Sequence, residues 1–301
     1  MKLDRYLLSL LPGVRFPLAL AVASGLLAGI ATVLQALFLS RAIGQVFLGR
    51  RQLEQVEPLL FAILGLIALR GALAWARELW AAAASAHIRH QLRLRLFSRL
   101  VEAGPAFCRG ERTGELANSL MEGIESLDAY FSQYLPSLAL AALVPTTILI
   151  FVFPLDLVSA LVLLVTAPLI PLFMVLIGKM ADAMTRRQWH SLSLLSAHFL
   201  DVVQGLATLK MFNRSHAQLE TIRRMSDGFG EATLSVLRVA FLSALALEML
   251  ATISTALVAV EVGLRLLYAT ISFEQAFFIL VLAPEFYQPH LHRHQCRADC
   301  R

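Results

Sequence analysis

Three stretches of this chain run for more than twenty residues without a charged side chain: Phe16–Ser40 (25 residues), Ala129–Leu155 (27) and Leu157–Gly178 (22). About 20 apolar residues in a helix cross the ~30 Å hydrocarbon layer of a bilayer. A segment inside that layer must satisfy its own backbone polar groups, which only helices and closed barrels do. No strand-like alternation of apolar and polar residues accompanies these runs, so they predict an all-α integral membrane fold. Pro58–Trp80 continues the pattern but carries Arg70, Arg77 and Glu78, and Val239–Val262 carries Glu248 and Glu261. A sixth run starts at Phe273 and loses its apolar character at Pro289. The turn Phe153-Pro154-Leu155-Asp156 divides the third span from the fourth. The expected spans are therefore 16–40, 58–80, 135–153, 157–178, 239–262 and 273–289, the last incomplete. They lie between an N-terminal tail, 1–15, and an aberrant His/Cys/Arg-rich tail, 290–301. Charged residues make up 16% of the chain, against roughly 25% in soluble domains, which argues against a soluble fold.

Connections alternate in length. Two long excursions, Ala81–Phe131 and Lys179–Arg238, leave one side of the bilayer, and short turns leave the other. The N-terminal tail carries Lys2, Arg5 and Arg15. The first excursion carries Arg89, Arg93, Arg95, Arg99, Arg109 and Arg112, and the second carries Arg186, Arg187, Lys210, Arg214, Arg223 and Arg224. An excess of Lys and Arg marks the cytoplasmic side. The N-terminus and both excursions are thus expected in the cytoplasm of a cell whose inner membrane this chain crosses several times. The net charge of +5 follows from this topology, and nucleic acid is not an expected partner. Neither excursion reads as a disordered loop. Ser85–Ala103 has Ile88, Leu92, Leu96 and Leu100 at helical spacing, and Leu192–Met211 has Leu195, Phe199, Val202 and Leu206. Both predict continuous helices that extend the spans into the cytoplasm. Cys108, Cys296 and Cys300 form no disulfide framework, and no cleavable signal peptide is evident.

Six spans, two long helical hairpins on one side and short turns on the other resemble the type 1 transmembrane domain of ABC exporters. Phe107-Cys-Arg-Gly-Glu-Arg-Thr-Gly114-Glu115-Leu116, followed by Asp128, resembles that family's first intracellular loop. Gly205-Leu-Ala-Thr-Leu-Lys210-Met-Phe-Asn-Arg214 resembles the segment through the second. Within the superfamily, five ordered strings are similar to the CydD family: Tyr134-Leu-Pro136, Thr166-Ala-Pro168 through Met174, Leu195-Ser-Ala-His198 through Asp201, Val236-Leu-Arg238 through Ser243, and Ala283-Pro284-Glu285-Phe-Tyr-Gln288-Pro289. The resemblance implies one subunit of a heterodimer, with a CydC-like half-transporter as partner. It implies export of small thiols (cysteine, glutathione) to the periplasm in support of cytochrome bd assembly, by alternating access; the family has also been read as a haem transporter. It implies that Gly114, Glu115, Leu116 and Asp128, and Leu206, Lys210, Phe212 and Asn213, couple the spans to nucleotide-binding domains that hold ATP and Mg.

The sequence departs from the family after Pro289, where a nucleotide-binding domain is expected and His290-Leu-His292-Arg-His294-Gln-Cys296 follows instead. No Gly-x-x-x-x-Gly-Lys-Ser/Thr loop occurs, and the lysines are Lys2, Lys179 and Lys210. The phosphate cradle needs that loop's backbone donors and its lysine. This chain alone is therefore expected to have no catalytic residues, to bind no cofactor and not to hydrolyse ATP. A shifted reading frame accounts for the tail better than a zinc site built from its His and Cys. An inactive fragment, a non-transporting assembly protein, and an exporter of haem, lipid or peptide are the alternatives.

A charge near the bilayer midplane normally faces a bundle interior or an aqueous cavity. Arg70 is thus a candidate cavity cation for ligand carboxylates; the plainer reading makes it the internal partner of Glu248 or Glu261. Glu248 is the deeper of those two and a second candidate for the cavity. His87, at the cytoplasmic mouth of the second span, is a candidate haem ligand or an ordinary interfacial residue. Pro136, Pro145, Pro154, Pro168 and Pro171 crowd spans three and four as packing kinks or as hinges.

Overall fold

The computed structural model describes residues 15–48, 53–110, 123–125 and 127–299. The expected sites at Gly114, Glu115 and Leu116 and the first fourteen residues lie outside these ranges. The described elements are α1 (Arg15–Phe47), α2 (Leu53–Gly110), a π-helical turn (Tyr130–Tyr134) leading into α3 (Leu135–Val152), α4 (Leu157–Thr166), α5 (Leu169–Gln204), α6 (Leu206–Met211), α7 (Ser215–Leu267) and α8 (Phe273–Asp299). No strand occurs among the described residues. Five segments are long and apolar enough to span: 15–47, 55–102, 123–152, 157–204 and 215–267. Glu274, Glu285 and the change of composition at His290 leave α8 short of that standard, although it stays helical through Asp299.

The spans do run on as helices. At ~1.5 Å per residue, the 53 residues of α7 extend about 80 Å, far beyond the ~30 Å apolar layer. The first excursion stays helical to the Gly104-Pro105 step. There Gly104 takes φ 77°, ψ 173°, because proline disfavours helical geometry in the residue before it and glycine accepts positive φ without a Cβ clash. The second excursion corrects the expectation of one helix over 192–211. The helix stops at Gly205 (φ −88°, ψ 8°), so Leu206 does not share a helix with Leu195, Phe199 and Val202. A Cβ on Gly205 would sit 3.2 Å from the Asp201 carbonyl oxygen, tight for any other residue. The fourth span is likewise divided, at Ala167-Pro168. Beside that break the Thr166 hydroxyl donates to the Val162 and Leu163 carbonyls.

The described residues fall into two compact units. One holds those up to Thr166 and from Ser254 onward; the other is Ala167–Ile253. In the first unit α1 packs on α2, α3 and α8. Its contact face is built from small residues, among them Ala21, Ser24, Gly25, Ala31, Ala36, Ser40 and Gly44, all buried. Lipid chains are as apolar as leucine, so membrane helices associate by close backbone packing over such small side chains. A Cβ on Gly25 would lie 2.6 Å from Leu140 Cδ1, and one on Gly29 3.2 Å from Val144 Cγ2. The second unit pairs α5 with the first part of α7, where Gln188 Nε2 donates to Thr233 Oγ1 at 3.0 Å.

Candidate functional site

A cavity of about 900 Å³ opens within the first unit, between α1, α2, α3 and α8. Small residues create the space: Gly25, Ala28 and Gly29 on α1, and Gly71, Ala74 and Ala81 on α2. A Cβ on Gly71 would meet nothing within 4 Å. Ile67, Arg70, Gly71, Ala74, Arg77 and Glu78 recur every three or four residues and form one face of α2, which is the cavity wall. Opposite them α8 contributes Glu285, Gln288 and Pro289, and the start of α3 contributes Ser132, Gln133 and Ser137.

Arg70 is half-buried and donates from Nη1 to Gln35 Oε1 of α1 at 2.7 Å. Its partner is a neutral amide, and among the described residues of the first unit it forms no salt bridge, with Glu261 or any other carboxylate. Glu261 is committed elsewhere, 3.0 Å from Arg265. Glu248 is exposed on α7 within the second unit. His87 is exposed, shares a 3.0 Å hydrogen bond with Gln91 and does not line the cavity. Of the expected cavity residues within the first unit, Arg70 lines the wall and His87 does not. Arg77 and Glu78, whose place on the second span reads from sequence as interfacial, also line the cavity, as do Glu285 and Gln288, which with the orienting Gln35 were not expected there. Gln35 was visible as an isolated polar residue inside an otherwise apolar run.

Asp128, expected in the first coupling loop, anchors the return of that loop onto α2. Ser85 Oγ donates to its Oδ1 at 2.7 Å, and Arg89 Nη2 lies 3.2 Å from the same oxygen. Glu125 accepts from Arg89 and, at 3.2 Å, from Arg93. Below these polar contacts Ala84, Ile88, Leu92, Ile124 and Phe131 form a buried cluster. The expected apolar face of the first excursion is therefore packed at Ile88 and Leu92, while Leu96 is 43% exposed.

The segment expected to form the second coupling element folds as α6. Asn213 takes φ 52°, a left-handed conformation that asparagine tolerates better than most residues. The bonds Asn213 N–H to Lys210 O (3.2 Å) and Arg214 N–H to Leu209 O (2.9 Å) make a Schellman cap. A six-residue helix is thereby fixed between two long ones. None of its residues is buried, and Leu206, Met211 and Phe212 are all more than half exposed.

A third cluster closes the opposite end of the first unit. Arg265 Nη1 lies 2.6 Å from Asp156 Oδ2 and 3.0 Å from Glu261 Oε1. The Ser159 backbone N–H donates to Asp156 Oδ2 at 3.1 Å, and its hydroxyl lies 2.9 Å from Glu261 Oε2. Burial alone would raise the Asp156 pKa, but the hydrogen bonds from Arg265 and Ser159 outweigh it and hold the group below its ordinary value.

Long apolar helices, a polar cavity inside their bundle and helical extensions ending in a capped, exposed short helix define a multi-pass membrane protein of the transport class. A family model for the ABC transporter transmembrane region matches residues 18–290, and the chain belongs to that family. It is 40% identical over 274 residues to the "Glutathione/L-cysteine transport system ATP-binding/permease protein CydD" of Escherichia coli (strain K12), covering 88% of this chain and 46% of that protein. It is 35% identical over 277 residues to the protein of that system named CydC in Bacillus subtilis (strain 168), covering 92% and 49%. The "Transport ATP-binding protein AarD" of Providencia stuartii is 35% identical, covering 90% and 48%. The chain spans about half the length of these curated relatives.

Proposed function

We propose that this chain supplies one transmembrane half of an ATP-driven exporter that moves cysteine- or glutathione-type thiols from cytoplasm to periplasm, in support of cytochrome bd assembly. The names of the CydD and CydC relatives give the substrate class. The observation in this chain that carries the reading is Arg70, a half-buried cation on a cavity wall inside a membrane bundle with no carboxylate partner among the described residues. A half-buried guanidinium left in that state strongly favours an incoming carboxylate, and both thiols carry one. ATP and Mg act through nucleotide-binding domains. α6 and the segment around Asp128 press against those domains, and the exposed Leu206, Met211 and Phe212 provide the apolar contact.

One six-span set lines half a transport pathway, so a second half-transporter of the CydC kind completes it. Phe199, Leu200 and Val203 are each more than half exposed on the cytoplasmic extension of α5, where apolar surface in water calls for cover by such a partner. The N-terminus is cytoplasmic and the membrane is the bacterial inner membrane. No His, Cys, Met or Tyr is among the described residues lining the cavity. Haem ligation needs such a residue, so this half of the cavity favours thiols over haem.

The test is ATP-dependent uptake of radiolabelled L-cysteine and glutathione into inverted membrane vesicles carrying this chain with its partner subunit and nucleotide-binding domains. Uptake that Arg70→Gln reduces by roughly tenfold, the scale of one charge-assisted hydrogen bond, supports the reading. Vesicles that accumulate haem or lipid and neither thiol would refute it.

A further inference from the structure

The cavity wall carries charges of both signs. On α2, Arg70 and Arg77 sit two helical turns apart, about 10 Å along the axis, and both line the space, with Glu78 beside Arg77 at the same end. On α8, Glu285 and Gln288 sit three residues apart on one face and line it from the other side. None of Arg70, Arg77 and Glu285 forms a salt bridge among the described residues. Proline at 289 of α8 carries no N–H, so the Glu285 carbonyl lacks its usual donor four residues on. Glu285 therefore offers two acceptors, its carboxylate and its backbone oxygen, across from two guanidinium groups.

A ligand that satisfies both sides must be an anion at one point and a hydrogen-bond donor cation at another. A simple dicarboxylate leaves Glu285 facing negative charge, and a simple amine leaves Arg70 facing positive charge; either juxtaposition costs binding inside a membrane. Among the described lining residues none is a thiol, thioether, imidazole or aromatic ring able to read a sulfur atom. We infer that this half of the cavity recognises the α-amino-acid moiety of its ligand, a carboxylate on Arg70 and an ammonium on Glu285, and that the thiol passes unread. The inference rests on the exporter reading above and specifies what that exporter selects. Cysteine and glutathione share this moiety, so one site serves both. Glutathione carries a second carboxylate roughly three extended residues away, ~10 Å, which matches the interval from Arg70 to Arg77.

The experiment is competition against ATP-driven uptake of radiolabelled L-cysteine in inverted vesicles containing the assembled transporter. Four unlabelled probes are compared: L-cysteine, L-serine (no thiol), cysteamine (no carboxylate) and 3-mercaptopropionate (no ammonium). L-Serine is expected to compete within about threefold of L-cysteine, and the other two roughly tenfold more weakly, one lost charge-assisted contact each. In Glu285→Gln the gap between L-cysteine and 3-mercaptopropionate closes while that to cysteamine persists; in Arg70→Gln the reverse holds. A mere folding defect lowers uptake without changing the order of competitors. Effective competition by cysteamine and 3-mercaptopropionate with none by L-serine overturns the inference and leaves thiol export standing. Absence of uptake of either thiol overturns the exporter reading and the inference together.

Discussion

Replacing Arg265 by methionine tests how the Asp156–Glu261–Arg265 end of the first unit is held. The guanidinium lies 2.6 Å from Asp156 and 3.0 Å from Glu261, whose side chains are 5% and 17% exposed. Removing it leaves two sheltered carboxylates sharing Ser159 with no counter-charge. Breaking a buried ion pair from one side costs about 3–5 kcal/mol. Arg265 is itself 28% exposed, so the lower end, about 3 kcal/mol, is expected.

The pH dependence gives a sharper signature. In the parent the Asp156 pKa is depressed. Its contribution is fully present above the unfolded value of about 3.9 and is lost as pH falls through the lower folded value. In Arg265→Met the guanidinium that holds the Asp156 pKa down is gone, and burial raises it above the unfolded value. The variant then loses stability as pH rises through that raised pKa and recovers it in acid. The double variant Asp156→Asn with Arg265→Met removes that buried charge and is expected to regain roughly half the loss or more. Thermal unfolding of the purified protein in detergent, from pH 3.5 to 8, reads all three. An Arg265→Met protein with unchanged midpoint and the parent's pH slope would show that the cluster stabilises nothing.

Further outcomes follow from backbone geometry. Gly25→Val places a methyl-bearing Cβ 2.6 Å from Leu140 and is expected to destabilise by about 1–3 kcal/mol, the range for overpacking, measured by the same unfolding assay. Gly71→Ala points into open space and is expected to be neutral in stability. Asn213→Val forces a β-branched residue into left-handed geometry at a cost of about 1–2 kcal/mol; it should weaken transport-coupled ATP hydrolysis in the assembled complex, whereas Asn213→Gly retains it. Ala269 also has positive φ, 53°, at the end of α7, and Ala269→Gly is expected to stabilise by up to about 1 kcal/mol.

The membrane class, the order of the spans and the helical extensions were legible in the sequence, because each depends on local composition and period. Phe16–Ser40 must be a helix wherever it sits, since no other conformation satisfies its backbone in lipid. The stop at Gly104-Pro105 and the divided fourth span at Pro168 follow from proline's covalent geometry. Gly205 was equally plain as a residue, yet the apolar period running through it to Leu206 suggested one helix. The structure ends the helix there because the backbone at Gly205 leaves helical geometry beside the Asp201 carbonyl.

The cavity was only partly legible. Arg70 stood out as a charge at midplane depth, because lipid penalises it whatever its neighbours. Which group receives its proton donors was decided by the packing of α1 against α2, which brings Gln35 to it while Glu261 is held by Arg265 at the other end. Glu285 lies more than 200 positions further along and meets the cavity only because α8 packs beside α1 and α3. The sequence by itself thus determined which segments are apolar enough to enter the membrane, since this is a one-body preference of each segment for lipid or water. The tertiary structure alone decided which charges face one another across the cavity, since that depends on the rotation of each helix about its own axis, set by the small-residue contacts at Gly25 and Gly29.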